Sequence, residues 1–146
     1  MSEENKLKRP KVCVGVIIFK NDQVLLGKRR KTASHGQDEY SFPGGKIENE
    51  ESFVEAVKRE TFEEAGIKIK NIEFLSVINT AKYKEHQAVL VSFRSDWESG
   101  EPFSPPEENI GEWAWYDLNN LPKPLFYPTA TIIDSYKTGK NFYDKE

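Results

Sequence analysis

Glu60, Glu63 and Glu64 follow Arg59 in a stretch reading GKIENEESFVEAVKRETFEEAGI from Gly45 to Ile67, directly after a Pro43-Gly44-Gly45 turn. Ser52 is placed to cap a helix there, with Glu55 three residues on as its capping-box partner. Gly66 is placed to end that helix in the left-handed conformation. At a helical advance of about 100° per residue, the three glutamates share a sector of roughly 100°. Val54, Val57, Thr61 and Ala65 fall on an adjoining sector expected to face a core. Carboxylates crowded beside a buried face repel one another. A divalent cation relieves that repulsion, and hard Mg²⁺ favours carboxylate oxygens, water and substrate phosphates. The chemistry to expect is metal-assisted attack on a phosphate.

The elements that must hold this helix are mostly strands. Residues 12–19 form a β-rich run, and Asn21-Asp22 makes a turn into a second strand over 24–28. Residues 29–39 read as an exposed, mobile loop, and Tyr40-Ser41-Phe42 as a short extended piece. Further strands are expected over 72–79, 87–94 and 112–116, with a C-terminal helix over 129–138. Hairpins combined with a helical crossover call for a mixed sheet with helices on its faces.

The whole chain, at 146 residues, suits one domain over 1–146, with residues 1–10 as a flexible arm. Charged residues make up 31% and the formal net charge is -3, which gives no electrostatic case for nucleic-acid polymers or membrane surfaces. The run over 12–19 is too short to span a bilayer. The N-terminal MSEENKLKRPK has no apolar h-region, so no signal peptide and a cytoplasmic location are expected. Cys13 is the lone cysteine and reads as a core residue. His35 and His86 stand in polar loops without an i,i+4 partner, so a histidine metal site is not expected; either could touch substrate, with an exposed loop histidine as the default.

Substrate contacts have several candidates. Arg29 heads the cluster Lys28, Arg29, Arg30 and Lys31, and its guanidinium can grip two phosphate oxygens. Arg30 and Lys31 read as solvated charge. Tyr40, Phe42, Trp113 and Trp115 are candidates for stacking on a base. Strand alternation sends Trp113 and Trp115 to one face, where core packing competes with substrate contact. Phe126-Tyr127-Pro128 lines a base pocket or docks the last helix.

With these residues in view, the chain resembles the Nudix hydrolases, whose signature is GX5EX7REUXEEXGU with U a bulky aliphatic residue. Gly45, Glu51, Arg59, Glu60, Glu63, Glu64, Gly66 and Ile67 fall on the pattern. Thr61 occupies one U position, and Glu50 stands where many members carry glycine. The downstream WAWYDLNNLP is similar to the MutT-like nucleoside triphosphate branch. The resemblance implies an α+β fold, an α/β/α sandwich around a mixed sheet with a loop-helix-loop catalytic motif. It implies hydrolysis of a nucleoside diphosphate linked to another group, with Mg²⁺ or Mn²⁺ as cofactor.

Under that resemblance Glu60 and Glu64 are the principal metal ligands and Glu63 a further one, while Glu60 alternatively activates water. The Gly44 carbonyl completes the metal's shell, and Gly45 belongs to the turn that meets substrate. Arg59 braces the acids, and Glu51 supports them from the start of the helix. A base from a late loop falls on Glu107 or Glu108 in PPEEN, where surface solubility is the competing explanation. The expected reaction converts nucleoside triphosphates, deoxy or oxidised forms included, to a monophosphate and pyrophosphate. ADP-ribose, other nucleoside diphosphate sugars and dinucleoside polyphosphates are the alternatives. A silent nucleotide-sensing domain is disfavoured because every acid is kept. The expected partner is a small nucleotide, with no polymer and no membrane, acting on a monomer or homodimer.

Overall fold

Period-two alternation along the first two strands sets the layering of the protein. In the computed structural model, which describes residues 9–145, strand β1 (Lys11–Lys20) sends Val14, Val16 and Ile18 into one core and Ile17 into another. Strand β2 (Gln23–Arg29) separates Leu25 from Val24 and Leu26 in the same way. Strands rich in aliphatic residues on both faces need cover on both. Helix α1 (Phe53–Ala65) closes the first core with Ala56, Val57 and Ala65. Helix α2 (Tyr127–Thr138) closes the second with Ile132 and Ile133. The result is the expected α/β/α sandwich.

The remaining strands are β3 (Tyr40–Ser41), β4 (Gly44–Lys46), β5 (Lys68–Thr80), β6 (Ala88–Ser99), β7 (Ile110–Asp117) and β8 (Phe142–Tyr143). They form one mixed sheet in the order β3-β2-β1-β6-β5-β8, with β4 also on β1 and β7 also on β2. β1 runs parallel to β6 and β5 parallel to β8; the other pairs are antiparallel. On β4, Gly44 stands opposite Gly15 and Gly45 opposite Val14. A Cβ at Gly44 would run into the Val14 carbonyl, so glycine lets the turn lie flat against β1.

The expected elements are present, and most run further than their apolar cores suggested. β5 begins at Lys68 and β6 ends at Ser99, because pairing carries both strands past the last buried residue. The short strand β8 was not expected; it is held by pairing to Val77 and Ile78 rather than by its own length. Val54, expected on the core face of α1, is 42% exposed. The buried stripe instead runs through Ala56, Val57, Thr61, Glu64 and Ala65. Most of the expected N-terminal arm, residues 1–8, lies outside the described residues. No helix among the described residues is long and apolar enough to cross a membrane.

Candidate active site

Both ends of α1 are locked. Ser52 Oγ accepts from the Glu55 amide at 3.0 Å while Glu55 Oε1 accepts from the Ser52 amide at 2.8 Å, a complete capping box. At the other end Gly66 takes φ 71°, and its amide donates to Phe62 at 2.9 Å. With the ends fixed, Val57, Thr61, Glu64 and Ala65 recur on one buried stripe. That spacing carries Glu64 inward with the core.

Glu64 is only 8% exposed, and its Oε1 accepts from the Gly44 amide at 2.8 Å. Burial, and then the charge of Glu60, push its carboxyl well above the usual range. Burial likewise pushes Glu60 up to about 7, against the pull of its contact with Arg59. Gly45 is what admits Glu60: a Cβ there would collide with Glu60 Oε2.

Arg59 binds the acids together. Its Nε and Nη2 donate to the two oxygens of Glu51 at 2.6 and 3.0 Å, and its Nη1 donates to Glu60 at 2.7 Å and Glu63 at 3.1 Å. Nη2 also reaches the Lys46 carbonyl at 2.9 Å, tying α1 to β4. The hydrogen bonds from Arg59 hold Glu51 below the usual carboxylate range.

A cavity of about 330 Å³ opens over this ridge. Of the residues singled out from the sequence, Arg29, Phe42, Gly44, Gly45, Glu60, Glu64 and Glu108 line it, as do Phe126 and Pro128 but not Tyr127. The rival loop acids separate: Glu108 lines the cavity, whereas Glu107 is exposed away from it. Burial raises Glu108, helped by the charges of Glu63 and Glu107. Glu63 stays half exposed on Arg59, outside the lining. Trp113 is corrected as a stacking candidate. It packs with Trp115 against the α1-side core, and its Nε1 donates to the Glu64 carbonyl at 2.8 Å. Tyr40 also lies outside the lining; its ring meets Tyr116 edge-on at 6.2 Å, across the pairing of β3, β2 and β7.

Tyr83 joins the site with no local signal in the sequence, and Arg30, His35 and His86, read by default as solvated or exposed loop groups, join it too. Arg30, read as solvated charge, donates from Nη1 to the carbonyls of Pro105 at 2.8 Å and Glu108 at 2.7 Å. It fastens the loop that carries Glu108. His35, Tyr83 and His86 line the cavity from two loops far apart in sequence. The loop over 29–39 is closed by backbone bonds between Arg29 and Glu39 and between Asp38 and Arg29, both at 2.8 Å. Arg29 itself donates from Nε and Nη2 to the His35 carbonyl, so two of its donors serve this loop.

Two desolvated carboxylates, Glu60 and Glu64, beside the backbone of a glycine turn make an all-oxygen donor set. Such a set suits a hard divalent cation. Among the described residues no three acids, histidines or cysteines converge into a ready cage, and Arg59 holds Glu51, Glu60 and Glu63.

The likeness to known proteins follows these residues. The family pattern described as the NUDIX domain matches residues 9–136. The chain is 31% identical over 125 residues to the NAD-capped RNA hydrolase NudC of Haemophilus influenzae (strain PittEE), covering 84% of this chain and 46% of that protein. To the NudC of Escherichia coli O1:K1 / APEC it is 30% identical over 120 residues, covering 82% of this chain and 43% of the relative. The chain thus spans less than half the length of these curated relatives. Among solved structures, a MutT NUDIX hydrolase from Burkholderia pseudomallei superposes with a TM-score of 0.78 at 27% identity, covering 87% of this chain and 98% of that one. The NUDIX domain of Shewanella oneidensis NrtR, solved with ADP ribose, shares the fold at a TM-score of 0.72 and 19% identity, covering 94% of this chain and 97% of that one. On the pattern that spans residues 9–136, the chain belongs to the Nudix hydrolase family.

Proposed function

We propose that the chain is a divalent-metal-dependent pyrophosphohydrolase that splits nucleoside triphosphates into a nucleoside monophosphate and pyrophosphate. The observation that carries this reading is the pair Glu60 and Glu64, both desolvated against the Gly44-Gly45 turn on the wall of the cavity. In it, Glu60, Glu64 and the Gly44 carbonyl would hold Mg²⁺ or Mn²⁺, with Glu63, which here pairs with Arg59, as a further ligand. The bound metal neutralises phosphate charge and makes water easier to ionise.

This chain's own residues supply the rest. Arg59 fixes the acids in register, and Arg29 lends positive charge to the cavity wall. Water attacks the β phosphorus: its oxygen bonds there as the bond from that phosphorus to the α–β bridging oxygen breaks. The monophosphate departs with the bridging oxygen, and the water's proton passes to Glu108. A carboxylate raised from its ordinary range is better matched to that proton near neutral pH.

The similarity to proteins named as NAD-capped RNA hydrolases favours one second reading, cleavage of the diphosphate in a dinucleotide or a dinucleotide-capped RNA. One product experiment separates the two. Nucleoside triphosphates, ADP-ribose, NAD and NAD-capped RNA are incubated with the protein and Mg²⁺ in ¹⁸O-water, and the products resolved. The proposal expects pyrophosphate carrying the label from triphosphates. Cleavage of NAD or its capped RNA with triphosphates untouched selects the second reading. AMP and ribose phosphate from ADP-ribose, again with triphosphates untouched, contradicts both.

A further inference from the structure

The cavity has a second wall that the reaction above does not use. His35, from the loop between β2 and β3, stacks on His86, from the loop between β5 and β6, with centroids 4.2 Å apart and planes 19° apart. Tyr83 stacks on Phe126 at 5.0 Å and 25°, and His35 meets both rings at 5.1 and 5.6 Å. Three segments distant in the chain therefore bring four rings together. All four line the cavity that holds Glu60 and Glu64, and all four remain only half-buried.

We propose that His35, Tyr83, His86 and Phe126 form a stacking wall for the nucleobase of the substrate, a purine in preference to a pyrimidine. The inference rests on the hydrolase reading for the identity of the substrate, and on geometry for the wall. Arg29 links the two regions: its guanidinium lies 4.0 Å over Phe126, and it lines the same cavity as Glu60 and Glu64. A phosphate chain at the acids thus leads its nucleoside past Arg29 toward the rings.

The wall suits a ring better than a sugar. The Tyr83 hydroxyl is already engaged, donating to Glu39 at 2.7 Å and accepting from the Tyr127 amide at 2.8 Å. Two of Arg29's donor groups are held by the His35 carbonyl. Neighbouring Leu90, Pro128 and Ile132 are apolar. What these groups offer is ring face and aliphatic surface, and a purine presents the larger face to match it. Burial and the nearby Arg29 hold the His35 ring down to about 4, so it stacks as a neutral heterocycle at pH 7. Phe126 is covered by Tyr83 and by the Arg29 guanidinium and backs the wall, so the ring surface left to a base comes from the half-buried His35, Tyr83 and His86.

The chain has two histidines, and both are in the wall, so their ring protons report on it directly. AMP, CMP and ribose 5-phosphate are titrated separately into the intact protein at pH 7.5 without metal, following the histidine ring signals by NMR. AMP is expected to shift both histidines and to bind more tightly than CMP, and ribose 5-phosphate to leave them in place. His86→Ala is expected to weaken AMP binding about fivefold or more. Equal shifts from ribose 5-phosphate, or unchanged AMP affinity in the variant, overturn the wall. The wild-type comparison of AMP with ribose 5-phosphate stands even if the variant misfolds. Triphosphate hydrolysis is assayed beside it: its absence overturns the triphosphate reading, while the histidine signals still decide the wall.

Discussion

The amide of Gly44 donates to Glu64 Oε1 at 2.8 Å, so a backbone turn on β4 and a side chain late in α1 hold each other in place. The bond satisfies one oxygen of a buried carboxylate whose charge Glu60 opposes. Glu64→Gln keeps an acceptor for Gly44 and deletes the charge. Without metal at pH 8 the variant is expected to melt about 3 °C or more above wild type. Its turnover is expected to fall by about 100-fold or more. Thermal melts and kcat/KM on the same preparations check this; full turnover contradicts the role given to Glu64.

Gly45 and Glu60 make a second such pair. A methyl group at Gly45 would collide with the end of the Glu60 side chain, which can swing away at little cost to the fold. Gly45→Ala is therefore expected to keep its melting temperature within about 2 °C while losing most activity, because stability is set elsewhere. A large drop in melting temperature, or retained activity, counts against Glu60 as the group displaced.

Protonation gives a further handle. Glu60 is raised to about 7 and Glu64 is raised too, so the folded state holds their protons more tightly than the unfolded state does. The Glu60 contribution is fully present below about pH 4.5 and is lost as pH rises through about 7, and Glu64 acts in the same direction. His35 acts oppositely: lowered to about 4, it favours the fold above about pH 6.5 and loses that contribution as pH falls toward 4. Comparing wild type with Glu60→Gln removes the shared histidine effect. The difference is expected to grow against wild type between pH 5 and 8, and saturating Mg²⁺ to restore wild type most at the high end. Equal Mg²⁺ stabilisation at every pH would falsify this.

Arg30 supports the other side of the cavity. Through the Pro105 and Glu108 carbonyls it pins the loop that presents Glu108, and it fills the space a side chain at Gly111 would need. Arg30→Ala is expected to speed amide hydrogen exchange over residues 105–109 and to lower kcat about tenfold, with KM changed less. Unchanged exchange there would show that the loop is fixed by other contacts.

The sequence exposed the helix and its acids because that chemistry is local. The capping box, the i,i+4 recurrence of Val57, Thr61 and Ala65, and Gly66 can all be read within one short window. The sheet order was less legible: β1 pairs in parallel with β6, Lys11 with Ala88 through Phe19 with Asp96, and no local pattern encodes that. The same reason hid the second wall. His35 and His86 each look like ordinary loop histidines, and only the crossing of two loops stacks them. Arg30 looked like surface charge because its acceptors are backbone carbonyls, to which any residue type contributes. Alternation placed Trp113 and Trp115 on one face, and of the two uses open to that face, core packing and substrate contact, the α1-side core takes it.

The most direct test of the central claim is anomalous diffraction from crystals soaked with Mn²⁺ and a non-hydrolysable nucleoside triphosphate. The expected result is a manganese peak in contact with Glu60 and Glu64, bridging to the phosphate chain. Nucleotide bound in the cavity with no manganese beside those two carboxylates would contradict it.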